Sequence, residues 1–81
     1  PTIEGQTRQT LNNLQAVVKT SGSDFDHVVK ITIYLTNMAD YAKVNEIYAG
    51  YFTKTKPARA TIAVASLPRG VLVEIDAIAT L

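Results

Sequence analysis

The chain contains no cysteine, so neither disulfides nor a thiolate metal site can stiffen it. Its only histidine, His27, has no companion ligands and reads as a solvated residue at a strand entrance. Basic runs are missing too: no lysine or arginine adjoins another and the net charge is +1, so nothing marks a nucleic-acid or membrane surface. No stretch approaches the roughly 18 apolar residues of a membrane span, and nothing resembles a signal peptide. A cytoplasmic location is expected, or a mitochondrial one if the chain is eukaryotic. The 81 residues make one small domain, 1–81, and a domain of this size buries only about 60–65% of its unfolded surface. Without covalent or metal reinforcement, association between copies is the remaining source of stability.

What is present is a regular alternation of patterns. Residues 1–5 form a lead-in, and the next fifteen predict a helix in which Leu11, Leu14, Val17 and Val18 recur at three and four positions. Gly22 is placed to cap it in the left-handed conformation. From Val28 to Thr36 the pattern becomes strict alternation, with Val29, Ile31, Ile33 and Leu35 against Lys30, Thr32, Tyr34 and Thr36, a half-covered strand. Residues 37–40 supply caps for a second helix with a stripe of Tyr41, Val44, Tyr48, Tyr51 and Phe52, read as core against a sheet. The order is helix, strand, helix, strand, strand. A right-handed parallel crossover is expected for the strand-helix-strand portion, with both helices on one face of a mixed sheet. That is an α+β fold whose other sheet face nothing in the chain covers.

The last third, KPARATIAVASLPRGVLVEIDAIATL, holds the charges that matter. Period-two alternation puts Arg59, Thr61, Ala63 and Ala65 on one side of the first strand, and Glu74 and Asp76 on one side of the second. The intervening SLPRG suits a hairpin turn, with Gly70 at positive φ, so the two strands are expected to be antiparallel neighbours. Their pairing is expected to give one apolar face for the helices and one face bearing a cation, two carboxylates and a hydroxyl.

The phrases FDHVVKITIYLTNMADYAKVNEIYAGYF and KPARATIAVASLPRGVLVEIDAIA resemble the Rid family (YjgF/YER057c/UK114) of imine and enamine deaminases, over nearly the whole chain. The resemblance implies a chorismate-mutase-like α+β fold, two helices on one sheet face, and a homotrimer with clefts between subunits. It implies hydrolysis of 2-imino or 2-enamino acids, such as 2-aminoacrylate or 2-iminobutanoate, to 2-keto acids and ammonia, with no cofactor, metal, nucleic acid or membrane partner. Carried over by position, Arg59 of the PAR motif grips the substrate carboxylate, for which a guanidinium fork is better suited than an ammonium. Glu74 positions or activates water, giving Arg59 and Glu74 catalytic roles, and Asn45 and Thr61 join Arg59 in substrate binding. Thr61 stands where many members have cysteine, and an electrophilic imine needs no nucleophilic side chain. Members also carry an N-terminal part that brings a tyrosine and a Ser-Gly-Gln loop to the cleft; nothing here matches it, so the chain is expected to be N-terminally shortened relative to the family.

Other readings stand beside these. Without the motif, Arg59 reads as a structural ion pair or an interface contact; Glu74 serves equally as its structural partner, and Asp76 reads as a structural or subunit-facing residue. A catalytically reduced member that binds small carboxylates or another protein is the alternative to an enzyme.

Overall fold

Thr2 starts the first helix. In a computed structural model, which describes residues 2–54 and 56–80, its Oγ1 accepts the Gly5 N–H at 3.0 Å. Helix α1 therefore runs over Ile3–Thr20, three residues earlier than the apolar pattern alone predicts. Thr7, Leu11 and Val18 are buried, while Val17 is 64% exposed. The inward row at 7, 11, 14 and 18 is the helical one, and Val17 lies off it. Thr7 tolerates burial because its hydroxyl donates to the Ile3 carbonyl at 2.7 Å. The helix ends in a Schellman motif: Gly22, at φ 95, donates to Lys19 O, and Ser23 donates to Val18 O.

Strand β1 (Val28–Leu35) enters through a 3-10 turn over Phe25–His27. Asp24 Oδ1 receives the Asp26 N–H at 2.9 Å and lies 2.8 Å from His27 Nδ1. The bond to His27 holds the Asp24 carboxyl below its ordinary 3.8. A lowered folded value stabilises the fold above the unfolded value, and that contribution is lost as pH falls through the folded one. Asp24→Asn should therefore show a shallower loss of Tm between about pH 5 and about pH 3 than the parent chain. Parallel curves would remove Asp24 from the acid response.

The alternation expected of β1 holds from Ile31 onward, but a register shift between Val28 and Lys30 turns Val28 inward and leaves Val29 48% exposed. A second 3-10 turn, Met38–Asp40, is capped by Asn37 and leads into helix α2 (Tyr41–Tyr51). Strands β2 (Ala58–Ala63) and β3 (Val73–Ala79) complete the sheet.

The sheet order is β2-β1-β3, with β1 parallel to β2 and antiparallel to β3. The last two strands are thus not a hairpin. Residues 64–72 cross the end of β1 and are tied to it, Val64 N donating to Leu35 O at 2.9 Å and Thr36 N to Leu72 O at 3.2 Å. Two strand spacings are only about 10 Å, which such a segment spans easily. The turn inside it uses positive φ at both Arg69 and Gly70. Placing β1 in the middle pairs the most apolar strand on both edges: Ile31, Ile33 and Leu35 are almost wholly buried. α1 and α2 cover that face, and Phe52, at the end of α2, stacks on Phe25 at 4.6 Å.

Ile33 is 1% exposed and sits between Thr61 and Ile75 in register. Ile33→Ala should cost about 2–5 kcal/mol, a large share of the roughly 5–15 kcal/mol available to a small domain. A urea midpoint that does not move would contradict this placement.

Register also settles which residues share a face. Arg59, Thr61 and Ala63 pair with Ile31, Ile33 and Leu35, so they lie on the helix-covered side. Glu74 and Asp76 pair with Tyr34 and Thr32, on the open side. The expected single face carrying cation, carboxylates and hydroxyl is therefore split between the two sides of the sheet, because β1 lies between β2 and β3 and sets the facing of each independently. With it falls the reading of Glu74 as an ion-pair partner of Arg59 within one chain.

Candidate functional site

Arg59, the second residue of β2, is held by one face of α2. Its Nη1 donates to Asn45 Oδ1, and its Nη2 donates to the Tyr41 hydroxyl at 3.0 Å. The guanidinium carbon lies 4.9 Å from the Tyr48 ring centroid and 5.8 Å from that of Tyr41. Tyr41, Asn45 and Tyr48 follow at four- and three-residue steps along α2, which puts all three beside the same strand residue. Among the described residues no carboxylate pairs with Arg59. The fork keeps N–H donors to spare after two bonds, and the residue stays exposed.

Tyr48 is the floor of this arrangement. Burial raises its phenol above the ordinary 10.0, against the opposing pull of Arg59, so the ring stays neutral and polarisable instead of becoming a phenolate base. A cavity of about 330 Å³ opens alongside, lined by Asn45, Tyr48, Phe52, Lys56, Pro57 and Arg59 among others. Among the described residues no carboxylate lines it. Apolar walls with a few convergent donors are the usual make-up of a small-ligand site, and here the donors are suited to an anion.

Of the residues picked out in the sequence, Arg59 and Asn45 meet directly. Thr61 shares their sheet side, in register with Ile33, but does not line the cavity. Glu74 is on the opposite side, and Asp76 lines a separate hollow of about 220 Å³ with Lys30, Thr32 and Ile78. Tyr41, read as core, is instead 38% exposed and uses its hydroxyl on Arg59. Its ring fits the apolar stripe, and only the hydroxyl at the start of the helix hinted at a second use. Among the described residues no group of three or more His, Cys, Asp or Glu could hold a metal ion.

The profile of the family described as Endoribonuclease L-PSP matches residues 1–81. The chain is 49% identical to the crystal structure of YyfA from Yersinia pestis, a protein of unknown function of the conserved Rid family, at a TM-score of 0.96, covering 99% of this chain and 64% of that one. This chain belongs to the Rid family. Among curated Rid relatives, protein DfrA of Myxococcus xanthus is 54% identical over 77 residues, 95% of this chain and 59% of its own length. The Mus musculus 2-iminobutanoate/2-iminopropanoate deaminase is 51% identical over 74 residues, 91% of this chain and 55% of its own. This Rid chain thus spans less than two thirds of the length of these relatives. Among the described residues no helix is long and apolar enough to cross a membrane.

Proposed function

We propose that the protein hydrolyses reactive 2-imino and 2-enamino acids, such as 2-aminoacrylate and 2-iminobutanoate, to 2-keto acids and ammonia. The observation that carries this is the Arg59 fork, fixed by Asn45 and Tyr41 over Tyr48 and opening on a cavity that no acid lines among the described residues of the same copy. The resemblance to a mouse protein named as such a deaminase supports it. Arg59 holds the substrate carboxylate through paired N–H donors. An enamine first tautomerises to the imine, taking a proton at carbon and giving one up at nitrogen; water then adds to the C=N carbon, its first proton passing to nitrogen. The second proton passes from the hydroxyl of the tetrahedral adduct to nitrogen, ammonia leaves, and the carbonyl forms. Glu74 receives the proton from the attacking water and returns it to the departing nitrogen. No cofactor enters this sequence.

Glu74 stands on the far side of the sheet from Arg59, so its place in the reaction requires a second copy. We assign the site to the clefts of a homotrimer. The uncovered sheet face, with Ile62 43% and Ile78 60% exposed, is suited to such burial, whereas Thr61 and Ala63 lie on the helix side.

The second reading, a carboxylate-binding or protein-interaction module without turnover, is favoured by one fact: the Arg59 clamp is complete without Glu74. The family description names an endoribonuclease, but the chain has a single histidine and no basic run to serve RNA. Keto-acid and ammonia release from 2-iminobutanoate, generated in situ by an amino-acid oxidase, decides between the first two readings. Turnover above the spontaneous rate supports the enzyme, and binding of 2-oxobutanoate without turnover supports the module.

A further inference from the structure

The cavity beside Arg59 contains a second cation. Lys56 lines it, is exposed, and pairs with no carboxylate among the described residues. Pro57 follows it, which disfavours helical backbone at Lys56. Lys56 and Arg59 line the same cavity, their Cα atoms are at most about 10 Å apart along the chain, and both side chains are long enough to approach one small molecule between them. Tyr48 and Phe52, stacked at 4.8 Å, form an apolar stretch of the same cavity wall.

Two cations, an apolar wall and, among the described residues of one copy, no acid ask for a short dianion. Arg59 is preorganised for a planar carboxylate, because Asn45 and Tyr41 fix its fork and Tyr48 supports its plane. Lys56 is a mobile point charge that tolerates a second carboxylate at more than one distance. We infer that Lys56 is a specificity-determining residue that favours 2-imino acids bearing a second carboxylate, the imines of acidic amino acids. This rests on the deaminase reading and names the substrate class of that same site. The α-carboxylate lies on Arg59, one or two methylenes pass along Tyr48 and Phe52, and the distal carboxylate meets Lys56. Hydrolysis proceeds at the imine carbon as above, and the distal carboxylate leaves unchanged.

The keto-acid products allow binding to be measured apart from turnover. Titration calorimetry on the whole chain should show oxaloacetate or 2-oxoglutarate binding at least about tenfold more tightly than pyruvate or 2-oxobutanoate. In Lys56→Gln, with folding checked by circular dichroism, that preference should shrink to within about twofold, since a rigid clamp is left with one charge. Equal affinity for the two classes in the parent chain, or a preference that survives in Lys56→Gln, overturns the inference. Inorganic phosphate competing as strongly as the diacids also overturns it, because the pair would then be a general anion site. In turnover, the kcat/KM ratio of the acidic imine over 2-iminobutanoate should fall in the variant by the same factor. Absence of turnover on both imines with the binding preference intact would sink the deaminase reading and leave the Lys56 selectivity standing.

Discussion

Arg59→Ala should lower kcat/KM for 2-iminobutanoate by about 100-fold or more, since truncating one partner of a hydrogen-bonded charge pair costs about 2–5 kcal/mol. Most of the loss should fall in KM, because the carboxylate is held alike in substrate and transition state. Affinity for 2-oxobutanoate should fall in parallel. The fold should survive: Arg59 is exposed, and removing it frees two bond partners, Asn45 Oδ1 and the Tyr41 hydroxyl, at a surface that water reaches. Arg59→Lys should recover little. An ammonium keeps the charge but cannot donate to Asn45 and Tyr41 while offering parallel N–H groups to a carboxylate. If instead Arg59→Ala left KM and product affinity unchanged, Arg59 would be a structural cation seated on α2 and the site would lie elsewhere.

The parts of this molecule legible in its sequence are those governed by local pattern. The 3.6-residue row of α1, the alternation of β1 from Ile31 to Leu35 and the left-handed Gly22 all follow from neighbours a few residues away. Where longer-range pairing decides, local pattern misleads. Residues 64–72 contain Pro68 and Gly70 in a tight turn, yet the strands they connect are separated by β1, because β1 has the greatest apolar demand for a central place. Parity along a strand tells which residues share a side; it does not tell which side of one strand matches which side of another. Thus Arg59 shares a side with Thr61, and Glu74 with Asp76, as parity predicts, but the two groups do not share a sheet face. The site shows the same division. Asn45 and Arg59 stand out through the motifs of the resemblance, whereas Tyr41, Tyr48 and Lys56 gain their meaning only when α2 is laid beside β2.

That division of faces gives the sharpest expected result for the assembly. With substrate held well below the parent KM, Glu74→Gln and Arg59→Ala should each be nearly inactive alone, yet a mixture brought to subunit exchange should regain activity. The two side chains leave opposite sides of one sheet, and layers on either side of a sheet lie about 10 Å from it, so one small imino acid cannot touch both within a copy. In a ring closed by heterologous contacts, each site joins one patch from one copy to a different patch from its neighbour. An equal mixture that assembles at random then forms an intact Arg59–Glu74 pair at about a quarter of its sites, and activity should recover to about that fraction of the parent chain. Sedimentation should show the trimer in the parent and in the mixture alike. A well-folded monomer that turns over substrate, or a mixture no more active than its components, would mean that Glu74 does not act across the interface; the proton would then have to be carried by a group on the α2 side of the sheet, where Tyr48 is held neutral by burial and Asn45 has no proton to exchange.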